Sequence, residues 1–137
     1  MKIAIVGNGG FAKELKSYIK YCYGDLEIIN FVTDNHVDSN SKPINDLIEN
    51  LKEYLVFIGI GDGSVRKTFV EDFLPVNTNY GTIIHPTAYI GNNVSIGKGV
   101  IICPNCILTS NIEVKAHVHL NIQTSIGHDS ILGEYTT

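Results

Sequence analysis

Hydrophobic residues follow two regimes along this chain. Up to about residue 80 they come in short runs separated by helix-spaced stretches, and from residue 84 they recur with a six-residue period. Lys2-Ile3-Ala4-Ile5-Val6 is an apolar run ending in Gly7-Asn8-Gly9-Gly10. Phe11 to Tyr23 then places Leu15, Ile19 and Cys22 at helical spacing. Leu26 to Val32 is a second β-rich run, closed by Thr33-Asp34-Asn35, and residues 35–43 read as a polar loop. Asp46 to Leu51 predicts a short helix with Leu47, Ile48 and Leu51 on one face. Tyr54 to Ile60 is a third buried run, ending in Gly61-Asp62-Gly63. Ser64 then serves as a cap for a helix to about Phe73, with Val65, Phe69 and Val70 inward. Strands alternating with helices predict βαβ units on a parallel sheet.

The second regime is sharper. Ile84, Ile90, Ile96, Ile102, Leu108, Val114, Leu120, Ile126 and Leu132 are nine aliphatic residues at consecutive six-residue steps. A random frame of this composition would produce that run on the order of once in a thousand. Four positions after each lies a small or β-branched residue: Ala88, Val94, Val100, Cys106, Ile112, Val118, Thr124, Ser130 and Thr136. A hexapeptide repeat is the signature of a parallel β-helix, in which both tracks point inward. At 18 residues per coil, residues 84–137 supply three coils. The predicted organisation is a Rossmann-like α/β domain over 1–81 followed by an all-β parallel β-helix over 82–137. The repeat stops at Thr137 on a hexapeptide boundary, without the polar cap that solenoids use. The sequence therefore predicts a truncated β-helix whose last coil is covered by a partner chain or poorly ordered.

Composition narrows the functions available. Of the 137 residues, 44% are hydrophobic and 18% charged, which suits globular packing rather than disorder. The net charge is −4 and the basic residues are scattered, so no nucleic-acid footprint is present. No apolar run is long enough to span a membrane, and the N-terminus is too short and glycine-rich for a secretory signal. Three cysteines fit a reducing cytoplasm better than a disulfide framework.

In parallel α/β sheets, ligands bind at the carboxyl ends of the strands. Those ends carry Gly7–Phe11, Asp34 and Gly59–Gly63. Gly7-x-Gly9-Gly10 resembles the start of a dinucleotide fingerprint without its full spacing. A domain of about 80 residues with no second mononucleotide-binding half is too small for a dinucleotide, so a nucleotide-linked ligand fits better than NAD. In the repeat, Cys103-Pro104-Asn105-Cys106 has the spacing of a redox or zinc motif. The register places Cys106 inward and Cys103 outward, on opposite faces of a wall, which argues against a shared metal or a disulfide. His36 reads as solvated, and His85, followed by Pro86, as structural. His117, His119 and His128 fall off both inward tracks and are expected on the coil surface. His128, followed by Asp129, is the strongest candidate among them.

Taken together, these motifs carry a resemblance. Gly7-x-Gly9-Gly10-x-Ala12-Lys13-Glu14, Asp34, Ile58-Gly59-x-Gly61-Asp62 with Arg66, and Gly127-His128-Asp129-Ser130-x-x-Gly133 resemble the left-handed β-helix sugar acyltransferases. That family includes enzymes that N-acetylate UDP-linked 4-amino sugars and others that O-acetylate sialic acid. The resemblance implies a nucleotide-sugar held by the N-terminal domain, acetyl-CoA as acyl donor with no metal, and a homotrimer built through the β-helix. It implies His128 as catalytic base with Asp129 beside it. Gly7, Asn8, Gly9, Gly10 and Phe11 match the loop that receives the nucleotide-sugar, with Asp34 as acceptor for the base or ribose. Gly59, Gly61 and Asp62 match the second wall of that pocket, with Arg66 as phosphate contact. Much of the acetyl-CoA site is then expected from coils beyond Thr137. Some relatives carry a second histidine nine residues after the catalytic one, where this chain has Thr137. An imidazole of ordinary pKa, about 6.5, can accept the proton of an amine or hydroxyl as it attacks a thioester. Three other readings remain. One is a serine-acetyltransferase-like enzyme, which the N-terminal domain disfavours. Another is a γ-class carbonic anhydrase with zinc on three histidines. The last is a nucleotide-sugar-binding module that no longer transfers.

Overall fold

The computed structural model describes residues 1–137 as two compact units, Met1–Gly81 and Thr82–Thr137. The first is a four-stranded parallel sheet, β1 (Lys2–Val6), β2 (Ile28–Val32), β3 (Ser41–Pro43) and β4 (Tyr54–Ile58), in the order β3-β2-β1-β4. The helices are α1 (Gly10–Tyr23), α2 (Ile44–Glu49) and α3 (Gly63–Thr68), with a π-helical turn over Phe69–Phe73. Ile3 to Val6 are all buried, as the uninterrupted apolar run of a central parallel strand requires. Helix α1 buries Ala12, Leu15 and Ile19 on one stripe, while Cys22 lies outside it and is exposed. Phe31 and Tyr54 close the core edge to face, with ring centroids 5.4 Å apart.

Three details differ from the sequence reading. Residues 41–43, read as loop, form the edge strand β3. Its place at the edge is compatible with Pro43, which has no N–H to donate. Helix α3 is capped by Asp62 rather than Ser64, because the Asp62 carboxylate accepts from the Ser64 and Val65 amides at 2.9 and 3.0 Å. That shift in phase leaves Val65 exposed and buries Arg66 completely.

The second unit is a left-handed parallel β-helix. Its nine short strands are β5 (Ile83–Ile84), β6 (Tyr89–Ile90), β7 (Val94–Ile96), β8 (Ile101–Ile102), β9 (Ile107–Leu108), β10 (Ile112–Val114), β11 (His119–Leu120), β12 (Ser125–Ile126) and β13 (Ile131–Leu132). They stack into three sheets, β11-β8-β5, β12-β9-β6 and β13-β10-β7. Partners such as Ile84, Ile102 and Leu120 lie one 18-residue coil apart. In the middle coil both inward tracks are sealed: Val100, Ile102, Cys106, Leu108, Ile112, Val114, Val118 and Leu120 are all buried.

Two expectations about this surface are corrected. His117 and His119 are buried, at 2% and 1% exposure, and so is Cys103 at 1%. In the β11-β8-β5 sheet the off-track column Ile83, Ile101 and His119 is withdrawn from solvent, as are the inward Ile102 and Leu120, while the inward Ile84 of the first coil is exposed. A six-residue register identifies only the inward face. The apolar Ile83 and Ile101 are the sequence sign that the off-track face of this sheet is covered as well.

Candidate functional site

The chemistry-bearing residues gather at two places, one in each unit. In the first unit β1, β2 and β4 run parallel and end together. The Gly7 amide donates to Phe31 O at 2.8 Å, and the Gly59 amide donates to Val6 O at 2.7 Å. Gly7 has φ +112°, and a Cβ there would stand 2.9 Å from Gly59 O, so this crossing of two backbones requires glycine. Asn30 fixes the loop from below, donating from Nδ2 to Gly7 O at 2.8 Å.

Above this crossing lies a cavity of about 550 Å³. Gly7, Asn8 and Gly9 form one wall, Val32, Thr33, His36 and Asp38 a second, and Phe69 and Phe73 a third. The two phenylalanine rings stack with centroids 5.1 Å apart. Asn8 Nδ2 donates to Asp38 Oδ2 at 2.7 Å, joining the glycine loop to the segment after β2. Thr33 Oγ1 lies 2.9 Å from His36 Nδ1. The Asp38 carboxyl is held below the usual carboxylate range, first by the Ser41 hydroxyl, then by the Asn40 amide and Asn8.

Of the residues singled out from sequence for this pocket, Gly7, Asn8 and Gly9 line it. Gly10, Phe11, Asp34, Gly59, Gly61 and Asp62 do not. Gly59 supports the Gly7 crossing, and Asp62 spends its carboxylate on the α3 amides. Arg66 is no phosphate contact: fully buried, its Nη1 donates to Ile60 O at 2.8 Å and Gly61 O at 3.2 Å. A guanidinium satisfied by backbone carbonyls fixes the loop after β4 instead of meeting a ligand. Thr33, His36, Asp38, Phe69 and Phe73 line the cavity too, although no sequence motif marks them. The carboxylate at the cavity is Asp38 rather than Asp34, four residues earlier, and His36 lines the cavity instead of standing alone in solvent. A 3₁₀ turn over Asp34–His36 carries the chain past Asp34 before it reaches the cavity at Asp38.

In the second unit the exposed pair is His128 and Asp129. Their side chains are 78% and 63% exposed, with His128 Nδ1 2.7 Å from Asp129 Oδ2. Asp129 occupies a left-handed turn position, φ 63°. The Asn111 side-chain amide donates to its other oxygen, Oδ1. Asn111 and then His128 hold the Asp129 carboxyl below its ordinary range. An ionised carboxylate is acceptor-only, so the proton of a neutral His128 ring belongs on Nδ1, leaving Nε2 with a free lone pair. That is the form a general base needs. Cys106, by contrast, is buried with its thiol on Asn121 O at 3.0 Å, and burial pushes that thiol up in pKa. A buried thiol of raised pKa is a packing group.

The glycine loop on a parallel sheet, followed by a hexapeptide β-helix, has its counterpart among known proteins. The model of the PglD N-terminal domain matches residues 2–73, over half of the chain, and the chain belongs to that family. It is 27% identical over 144 residues to the GDP-perosamine N-acetyltransferase of Escherichia coli O157:H7, covering 97% of this chain and 65% of the relative. It is 27% identical over 109 residues to the UDP-N-acetylbacillosamine N-acetyltransferase of Bacillus subtilis strain 168, covering 73% of this chain and 50% of the relative. The solved structure of PerB from Caulobacter crescentus in complex with CoA and GDP-perosamine shares the fold, with a TM-score of 0.82 at 21% identity. That match covers 98% of this chain and 67% of PerB. The chain thus spans between half and two thirds of the length of these relatives. No helix in it is long and apolar enough to cross a membrane.

Proposed function

We propose that this protein is an acetyl-CoA-dependent acetyltransferase acting on an amino group of a nucleotide-linked sugar, with His128 as general base. The observation that carries this reading is the His128 ring, 78% exposed, with its Nδ1 held 2.7 Å from a carboxylate. The acceptor nitrogen attacks the thioester carbonyl, forming a carbon–nitrogen bond as the carbon–sulfur bond breaks. His128 Nε2 takes the proton that the nitrogen must lose, and coenzyme A departs as a thiolate that is protonated in turn. Asp129 stabilises the imidazolium that results. An amine is favoured over a hydroxyl as acceptor because both relatives above are named N-acetyltransferases.

The cavity of the first unit suits the nucleotide. Asp38 and Asn8 offer an acceptor and a donor to ribose hydroxyls or a base edge, and the Phe69–Phe73 pair offers apolar aromatic surface to a base. Gly7 and Gly9 let the chain approach closely. The trimeric assembly also belongs to the proposal. Tyr89 and Ile107 are neighbours on the outer face of β6 and β9, 62% and 43% exposed, as an interface between copies would require. Three free cysteines are in keeping with a reducing cytoplasm.

A coenzyme A release assay tests the proposal, with acetyl-CoA and a panel of UDP- and GDP-linked amino sugars. Release that depends on one of these acceptors is expected. A protein that binds the nucleotide-sugar in a calorimeter yet never releases coenzyme A is a binding module, and the transferase reading then fails.

A further inference from the structure

One corner of the β-helix carries a polar column that nothing above explains. Asn93, Asn111 and Asp129 occupy equivalent turn positions 18 residues apart, with φ of 58°, 53° and 63°. Their side chains form a continuous hydrogen-bonded ladder. Asn93 Nδ2 donates to Asn111 Oδ1 at 2.7 Å, and Asn111 Nδ2 donates to Asp129 Oδ1. Asp129 Oδ2 meets His128 Nδ1 at 2.7 Å. The ladder runs one way only. A carboxylate has no proton to give, so the Asn111 NH₂ must face Asp129, and its carbonyl is then left for the Asn93 NH₂. Each carboxylate oxygen has a separate task, one anchored by Asn111 and the other on the imidazole.

We infer that Asn111 is a positioning residue: it clamps the Asp129 carboxylate so that His128 keeps its proton on Nδ1 and presents Nε2. The inference rests on the base role of His128 proposed above. Asp129 is exposed, and a terminal carboxylate torsion is broad and roughly two-fold, so a single contact to a mobile ring would not fix it. Asn111 supplies the second contact from a rigid element, because the next residues, Ile112–Val114, are held between β7 and β13. No lysine or arginine lines this groove. The charged group facing Asp129 from β10 is Glu113, while β7 and β13 present none. An amide is therefore what balances the carboxylate, alongside His128 itself. Ionised well below the range in which imidazoles titrate, Asp129 stays a pure acceptor wherever His128 works as a base.

The test uses Asn111→Asp and Asn111→Gly. Both residues tolerate the left-handed turn. Asn111→Asp also keeps the acceptor for Asn93 while setting a carboxylate against Asp129. Nitrogen-15 NMR of the histidine rings, at a pH where His128 is neutral, reads which nitrogen carries the proton. The wild-type ring is expected as Nδ1–H, and both variants shift towards the Nε2–H form that prevails in free imidazoles. In coenzyme A release, kcat falls about 10–100-fold with KM for the nucleotide-sugar unchanged. An unchanged tautomer in both folded variants overturns the inference, as does a change confined to melting temperature. The tautomer readout needs no turnover, so a protein that never transfers acetyl groups fails the proposed function while the NMR still decides the role of Asn111.

Discussion

Along one corner of the β-helix, Asn93, Asn111 and Asp129 turn the chain at φ of 58°, 53° and 63°. Along another, Gly99, His117 and Tyr135 turn it at 70°, 59° and 64°. The backbone is the same and the chemistry is opposite. The first column is a polar ladder ending on an exposed imidazole. In the second, the His117 ring is buried, stacks on Tyr135 at a centroid distance of 5.4 Å with planes 6° apart, and lies where a Cβ on Gly99 would collide with it. Both corners hold a histidine, and only one can meet a substrate. The hexapeptide repeat thus fixes where a side chain starts. Its neighbours one coil above and below decide whether it packs or reacts.

The largest effect expected from this contrast is on turnover. His128→Asn lowers coenzyme A release at least about 10²-fold and leaves nucleotide-sugar affinity intact by calorimetry. His117→Asn, which keeps a residue suited to the turn, leaves turnover unchanged. Equal losses at both positions would erase the distinction between the corners. Next in size, Gly99→Ala drives a methyl into the His117 ring and destabilises the β-helix by about 1–3 kcal/mol in thermal melts, with activity retained below the transition. A variant as stable as wild type would mean that His117 does not seal that corner.

The smallest effect lies in the first unit, where a carboxylate has a purely structural task. The Ser64 hydroxyl, then the Val65 amide, hold Asp62 below the ordinary carboxylate range. Its folded value is lower than its unfolded one. The stability it adds is therefore present above the unfolded value and lost as pH falls through the folded value. Asp62→Asn preserves the cap and removes the charge, so the melting temperature of the variant declines less on acidification. Identical acid limbs in the two proteins would contradict that role.

The strongly periodic parts of this fold were legible in the sequence. Residues 3–6 form the buried body of a central strand because nothing polar interrupts them, and the two inward tracks of the repeat are the tracks that close the middle coil. Less legible was whatever depends on a neighbour distant in sequence. Strand β3 is polar and short and exists through its pairing with β2. Asp62 and Ser64 are both good caps, and only the course of the chain out of β4 selects the first. His119 and Cys103 were read as surface residues because periodicity gives a direction, not what covers it. In the candidate sites, the glycine loop and the His128–Asp129 pair stood out as motifs. Asp38 did not, because the 3₁₀ turn before it sets its reach, and the 18-residue spacing of Asn93, Asn111 and Asp129 gains meaning once their side chains are seen joined.

The central claim is that His128, held by Asp129, is the base. The pH dependence of kcat/KM for coenzyme A release tests it most directly, with wild type and His128→Asn compared on the same acceptor. The expected wild-type profile rises with pH, because only the neutral ring accepts a proton, and the residual rate of the variant lacks that dependence. The same pH dependence persisting in His128→Asn would place the base elsewhere.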